Sequence, residues 1–126
     1  MSSYNVMLMT SISAGFVTKD KKLLMIQNQD GEWEVPSCTG KSGELSSDTA
    51  ERAVKEFAKT DCEVDRYKKN LKTTCEENGE ELNWQPYTVE ISSEPENGEW
   101  IPINDLENRE LSQPLEENLS NLNNRL

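Results

Sequence analysis

Three turn dipeptides constrain the fold of this chain most strongly. An aspartate or asparagine followed by glycine accepts the positive φ angles of a tight turn, and such pairs commonly join antiparallel strands. The chain has three that separate its short apolar segments: Asp30-Gly31, Asn78-Gly79 and Asn97-Gly98. The first 36 residues therefore predict a compact antiparallel β unit, with a buried strand over 23–26. Residues 71–76 and 84–91 predict a second hairpin, and residues 100–103 predict a further strand.

The segment before the first turn and the segment after the β unit complete this first half. Residues 6–9 are apolar, and Ile12, Ala14 and Phe16 alternate with polar or small neighbours. This alternation predicts one strand or one bent strand. Residues 36–47 are rich in glycine, serine and threonine, which predicts a loop.

Two helices are expected, one after that loop and one at the end of the chain. Ser47 or Asp48 is suited to cap the first helix, and Glu51 is suited to complete the capping arrangement. Its apolar residues recur at helical spacing and predict one stripe: Ala50, Ala53, Val54, Phe57 and Ala58. The terminal helix opens near Ser112 and Pro114. It carries a leucine stripe: Leu111, Leu115, Leu119, Leu122 and Leu126.

The order of these elements indicates the fold class. Strands, a loop, a helix, more strands and a final helix suit a mixed sheet with helices packed on its faces, which is an α/β fold. A chain of 126 residues is long enough for one core and too short to divide comfortably into two. We therefore expect a single domain over residues 1–126.

Composition excludes several classes of function. The chain has 24 acidic and 13 basic residues and a net charge of -11, which disfavours nucleic acid and anionic membrane surfaces as partners. The N-terminal residues lack a basic leader and a long apolar segment, so we expect a cytoplasmic protein. The absence of histidine excludes histidine general bases and histidine zinc sites. The three cysteines form no C-x-x-C pair and predict neither a disulfide framework nor a zinc site: Cys38, Cys62 and Cys75.

One segment carries a resemblance to a known family. Trp33-x-x-Pro36, then Gly43-Glu44, then Ala50-x-Arg52-x-Val54-x-Glu56 is similar to the Nudix box of the MutT-like hydrolases and to the strand before it. Four of the nine fixed positions of that box agree: Glu44, Arg52, Val54 and Glu56. Five differ, which makes the box degenerate: Cys38, Ala53, Phe57, Lys59 and Thr60. A later stretch from Trp100 to Leu106 resembles a further element of these domains.

The resemblance implies a fold, an activity and a site. The fold is an α/β/α sandwich, a mixed sheet with helices on both faces. The activity is hydrolysis of a nucleoside diphosphate-linked or similar diphosphate compound with Mg²⁺ or Mn²⁺, so the partner would be a small nucleotide or diphosphate molecule. Glu56 would hold the metal, and Glu44 and Arg52 would complete the catalytic set by fixing the loop against the helix.

The differing positions open an alternative function. Ala53 and Phe57 stand where the family pattern has helix glutamates, one helical turn apart and on the same face. Two carboxylates are thereby lost from a site that needs several. The hydrolase would then be weakened, or the chain would be an inactive Nudix-fold module that binds a ligand or a partner protein through its cleft or its Ala53/Phe57 face. The oligomeric state stays open.

Each candidate residue also has an ordinary structural interpretation. Glu44 and Arg52 also suit a surface ion pair, and Glu56 suits a helix-surface glutamate paired with Arg52 or Lys59. Cys38 is expected to be a small loop or core residue rather than a nucleophile, because no histidine is present to act as its base.

Two further groups have two interpretations each. The acidic residues at the second hairpin would either be solvated or donate a missing metal ligand or a general base: Glu76, Glu77, Glu80 and Glu81. Four aromatic residues would either pack in the core or stack on a nucleobase: Trp33, Trp84, Tyr87 and Trp100.

Overall fold

The computed structural model describes residues 10–71, 74–77 and 79–125. The predicted apolar segment 6–9, Asn78 and Leu126 lie outside these described residues. The strands are β1 (Thr10–Phe16), β2 (Thr18–Lys19), β3 (Lys22–Gln27), β4 (Trp33–Glu34), β5 (Ser37–Thr39), β6 (Cys62–Tyr67), β7 (Thr74–Glu77), β8 (Glu80–Ile91) and β9 (Glu99–Pro102). The helices are α1 (Ser46–Ala58), a 3₁₀ helix (Ile103–Asn108), α2 (Gln113–Glu117) and α3 (Leu119–Arg125).

The strands form two sheets. The first has the order β5-β1-β8-β6, with β7 also pairing with β8, and its β1–β8 pair is parallel while its other pairs are antiparallel. The second has the order β2-β3-β4, with β9 pairing with β3, and is antiparallel. The chain passes from the first sheet to the second directly after Phe16, where β1 leaves the side of β8. The mixed sheet that the sequence predicts is confirmed.

Helices cover the two faces of the first sheet. Helix α1 packs on β1, β5, β6 and β8, and the core cluster beneath it includes Val17, Leu24, Val54 and Val89. The opposite face carries the larger cluster, in which Phe16 lies edge to face with Trp84. That cluster also takes in residues of both C-terminal helices: Leu115, Leu119 and Leu122. The α/β/α arrangement is therefore present.

Helix α1 lies unusually close to β1. A Cβ atom added at Gly15 would overlap the Val54 Cγ2 atom and lie 3.4 Å from the Ala50 carbonyl oxygen. Glycine inside a strand often marks such a close approach of another element. The small residues of this helix side, Ala50 and Ala53, are both fully buried.

Several predicted elements are confirmed and several boundaries are wrong. Gly31, Gly79 and Gly98 have positive φ angles and end the expected turns. The helix after the loop begins at Ser46, with Leu45 as its N-cap residue, so neither Ser47 nor Asp48 caps it. The terminal helix is divided at Asn118, whose backbone N–H bonds back to the Leu115 carbonyl oxygen. Glu51, expected to assist the cap, instead accepts a hydrogen bond from the Val64 backbone N–H at 3.2 Å.

The strand pairing also differs from the expectation. Strand β1 belongs to the first sheet and pairs with β5 and β8, not with the antiparallel unit that follows it. The stretch 36–47 is not all loop, because β5 forms within it. Strand β6 and the 3₁₀ helix were not predicted. None of the helices in the described part of the chain is long and apolar enough to cross a membrane.

Candidate functional site

The carboxylate of Glu44 is the centre of the loop that leads into α1. Its Oε1 accepts hydrogen bonds from the Thr49 hydroxyl at 2.7 Å, the Arg52 Nη2 atom at 3.0 Å and the Lys41 backbone N–H at 3.1 Å. Its Oε2 accepts one from the Arg52 Nε atom at 3.0 Å. The arginine therefore holds the carboxylate with two parallel bonds, the strong geometry for this pair.

The same arginine joins α1 to the edge of the first sheet. Arg52 Nη2 also donates to the Thr39 carbonyl oxygen at 2.9 Å, at the end of β5. The Arg52 and Thr49 hydrogen bonds, followed by the Lys41 backbone bond, lower the pKa of Glu44 to about 2. Glu44 in turn raises the pKa of Arg52. Both groups are charged at neutral pH, and the pair fixes the loop against the helix.

Glu56 lies one helical turn beyond Arg52. Its Oε2 is 3.6 Å from Arg52 Nη1, and its side chain is 56% exposed. The structure thus brings the three predicted site residues into one cluster with the arginine at its centre. Glu44 and Glu56 both face the Arg52 guanidinium, so the three side chains form an ion-pair network.

Ala53 and Phe57, the two apolar residues at glutamate positions of the box pattern, differ in exposure. Ala53 is fully buried, whereas Phe57 is 38% exposed and belongs to neither core cluster. The predicted apolar stripe is confirmed for Ala50, Ala53, Val54 and Ala58, which are fully buried, whereas Phe57 does not belong to its buried part.

This cluster supplies few oxygen ligands for the divalent metal that the Nudix resemblance implies. Mg²⁺ is held by oxygen ligands, usually one or two carboxylates together with substrate phosphates. Both oxygens of Glu44 are engaged by Arg52, and Ala53 and Phe57 have no side-chain oxygen. Across residues 10–71, 74–77 and 79–125, no group of three or more histidine, cysteine, aspartate or glutamate side chains is arranged to hold a metal ion.

The Cys38 and Cys62 thiols both donate to backbone carbonyl oxygens of α1. The Cys38 thiol donates to the Thr49 carbonyl oxygen at 3.4 Å. Burial raises the pKa of this thiol, and the nearby Arg52 guanidinium opposes that change only in part. Burial likewise raises the pKa of Cys62 to about 11. Neither is an activated nucleophile.

The aromatic residues divide between packing and exposure to a cleft. Trp84 is buried in the larger core cluster, and the Arg109 guanidinium lies 5.4 Å from the centre of the Trp33 ring. Tyr87 bonds the Ser46 hydroxyl at the start of α1. Trp100 is half-buried and lines a large cleft. Of the acidic hairpin residues, Glu80 and Glu81 are exposed, and the side chains of Glu76 and Glu77 lie outside the described set.

Two cavities bear on where a ligand would bind. A cavity of about 40 Å³ lies beside β5, lined in part by Ser37, Trp84 and Leu115. That volume accepts a water molecule but no nucleotide. A cleft of about 1180 Å³ lies where the two sheets separate, and Glu44, Arg52 and Glu56 are not among its lining residues. None of the predicted site residues indicates this cleft, although the basic run Arg66-Tyr67-Lys68-Lys69 is a signal for it in so acidic a chain.

Comparison with known proteins identifies the fold. No family model and no curated protein matches the chain. A crystal structure of a UDP-X diphosphatase superimposes with a TM-score of 0.75 at 13% identity, over 97% of this chain and 70% of that one. A NUDIX hydrolase from Nitrosomonas europaea gives 0.73 at 13% identity, over 91% and 88%. An ADP-ribose pyrophosphatase from Streptococcus suis 89-1591 gives 0.67 at 18% identity, over 91% and 90%. At identities this low, the superpositions establish a shared fold and no more than that.

Proposed function

We propose, from its Nudix fold, that this chain is a ligand-binding module that holds a small nucleotide or diphosphate compound without metal-dependent hydrolysis. One observation carries this proposal: the α1 positions that would present carboxylates hold a fully buried Ala53 and an apolar Phe57. The two acidic residues of the cluster, Glu44 and Glu56, both face Arg52. A divalent cation approaching Glu44 or Glu56 would have to compete with that guanidinium for each carboxylate.

The class of ligand follows from the structures that share the fold. Two of them are described as acting on UDP-linked compounds and on ADP-ribose, which are nucleoside diphosphate derivatives. The Glu44–Arg52 pair joins the loop to α1, as the resemblance to the box implies, and this supports a binding role for the same scaffold. A loop and helix without converging carboxylates support binding of a diphosphate compound more than its metal-dependent hydrolysis.

A small molecule fits the surface better than a partner protein does. The large apolar side chains that the described residues expose are Leu45 and Phe57, at 68% and 38%. Leu45 is the N-cap residue of α1 and Phe57 lies in its last turn, which separates them by about 18 Å along the helix axis. Two isolated side chains form no continuous apolar patch of the kind that marks a protein interface.

A second candidate is weak hydrolysis, favoured by the exposure of Glu56. A 56% exposed carboxylate is accessible to a hydrated Mg²⁺ or Mn²⁺ ion, and the phosphates of a bound substrate would supply further oxygen ligands. This candidate requires Glu56 to leave Arg52 when the substrate binds. It differs from the first candidate in requiring measurable binding of metal.

Calorimetric titration with Mg²⁺ or Mn²⁺ separates the two candidates. We expect no binding to the parent chain at millimolar metal, with or without ADP-ribose. The Phe57→Glu variant, which adds a carboxylate next to Glu56, is expected to bind metal more tightly than the parent. Glu51→Gln serves as the matched control on α1. Metal binding by the parent that is lost in Glu56→Gln and kept in Glu51→Gln would refute the proposal.

A further inference from the structure

The large cleft opens at the point where the two sheets separate. Strand β1 runs parallel to β8 as far as the Phe16–Thr88 pair, and the chain then crosses into β2 of the second sheet. The walls come from β6, β8 and the residues after β6 on one side, and from β2 and β9 on the other. A volume of about 1180 Å³ is ample for a small organic ligand.

The charge of the cleft is opposite to that of the chain. The whole sequence carries 24 acidic and 13 basic residues, but the cleft is lined by four basic side chains and two acidic ones. The basic lining residues are Lys19, Arg66, Lys68 and Lys69, and the acidic ones are Asp65 and Glu90. A recess lined mainly by one sign of charge concentrates ligands of the other sign.

The basic side chains near Lys68 are close enough to affect one another. Burial lowers the pKa of Lys68, and the positive charge of Arg66 lowers it further. Arg66 lies 3.5 Å from Asp65, and Lys19 lies 2.6 Å from Glu94, so part of the positive charge is already compensated. An anion placed between Arg66 and Lys68 would offset their remaining repulsion.

Aromatic and amide groups complete the lining. Tyr67 and Trp100 contribute half-buried rings, and flat apolar groups bind well against such surfaces. Asn70 also lines the cleft, and its side-chain nitrogen is buried without an acceptor among the described residues.

We propose that this cleft binds a small organic anion that combines a phosphate group with a flat ring. The choice of this ligand class rests on the proposed function, which names a small nucleotide or diphosphate compound. The site itself is independent, because the loop and α1 residues Glu44, Arg52 and Glu56 do not line it. The phosphate meets the lysine and arginine side chains, and the ring lies against the tyrosine and tryptophan.

Binding of AMP at low ionic strength tests the site, with adenosine and inorganic phosphate as partial probes. AMP contains no diphosphate bond, so its binding does not depend on whether the chain hydrolyses diphosphates. We expect calorimetry to show AMP binding, at least tenfold weaker binding of each partial probe, and a decline with added salt. Lys68→Gln is expected to weaken AMP binding about tenfold, because one charge-assisted contact is lost.

Two further variants locate the ligand. The double variant Arg66→Gln/Lys69→Gln tests the same cleft without the half-buried Lys68, and it is expected to weaken AMP binding at least as much. Lys55→Gln on α1 is the matched control and is expected to bind AMP as the parent does.

Three results would overturn the proposal: no AMP binding, equal binding of adenosine and AMP, or unchanged binding in both cleft variants. Loss of binding in Arg52→Gln alone would place the ligand at the loop and α1. That outcome would refute this site and leave the proposed function standing, whereas metal-dependent turnover would refute the proposed function and leave this site standing.

Discussion

At the scale of single residues, Lys59 occupies a position that favours glycine. It ends α1 with φ 58° and ψ 46°, and its backbone N–H bonds to the Lys55 carbonyl oxygen at 3.1 Å. The Nudix box pattern that this segment resembles has glycine at this position, and Lys59 takes the left-handed conformation that glycine adopts readily. An L-residue in that conformation is strained by contact between its Cβ and the following carbonyl oxygen.

Replacing Lys59 by glycine is therefore expected to stabilise the fold. The gain in the free energy of unfolding is about 1 kcal/mol, since the Cβ strain is removed. Lys55→Gly in the last turn of α1 is the matched control and is expected to cost about 1 kcal/mol. Urea unfolding of the two variants measures both. A loss of stability in Lys59→Gly equal to that in Lys55→Gly would contradict the assignment of strain.

A second residue-scale prediction concerns pH and Glu44. Its pKa is about 2 in the folded chain against an ordinary value of 4.5, so its contribution to stability is complete above pH 4.5. That contribution is lost as the pH falls towards 2, because protonation breaks the bonds from Arg52. Urea unfolding should show the parent more stable than Glu44→Gln at pH 6, with the difference shrinking between pH 4.5 and pH 2. A difference that is constant over this range would contradict the ion pair.

At the scale of elements, the contact between α1 and β1 determines the geometry of the site. Gly15 lets the helix approach the sheet, and Arg52 then reaches both Glu44 and the end of β5. The helix, the turn glycines and the strand over 23–26 were predictable, because their signals are local. The β1–β8 pairing was not, because it joins segments about 70 residues apart and no local pattern specifies a partner. Strand β6 was missed because few of its side chains are buried.

Replacing Gly15 by alanine tests that contact. The added methyl group would overlap Val54 Cγ2, so we expect the free energy of unfolding to fall by about 1–3 kcal/mol. Gly40→Ala is the matched control, because a Cβ there meets the Thr49 hydroxyl oxygen at an ordinary 3.6 Å. The control is expected to change stability by less than about 1 kcal/mol. Equal effects of the two substitutions, measured by thermal unfolding, would rule out the close approach.

The double variant Gly15→Ala/Val54→Ala extends this prediction. If the overlap with Val54 is the cause, the combined loss of stability should be smaller than the sum of the two single losses. Strict additivity would show that another contact is responsible.

At the scale of the whole molecule, the sequence predicted the clustering of Glu44, Arg52 and Glu56 better than it predicted the cleft. Glu44, Arg52 and Glu56 are close in sequence and on one loop and helix, so their clustering follows from local spacing. The cleft brings together segments near residues 19, 66 and 100, which only the folded sheets place side by side. The complete burial of Ala53 also depends on how closely α1 packs on the sheet, and the helical pattern alone does not predict that distance.

The whole molecule combines a shared fold with an absence of converging metal-binding groups among the described residues. Glu44 and Arg52 join the loop to α1. The chain superimposes on a UDP-X diphosphatase and an ADP-ribose pyrophosphatase over most of its length. The acidic residues on the rest of the surface are not gathered into a metal site among the described residues. The proposed function is binding of a small nucleotide or diphosphate compound without its hydrolysis.

Multiple-turnover hydrolysis of ADP-ribose at millimolar Mg²⁺ or Mn²⁺ tests that claim most directly. The account predicts that AMP appears no faster with the parent chain than in protein-free buffer. Hydrolysis by the parent that persists in Glu51→Gln and disappears in Glu56→Gln would contradict it, because Glu56 would then hold a catalytic metal.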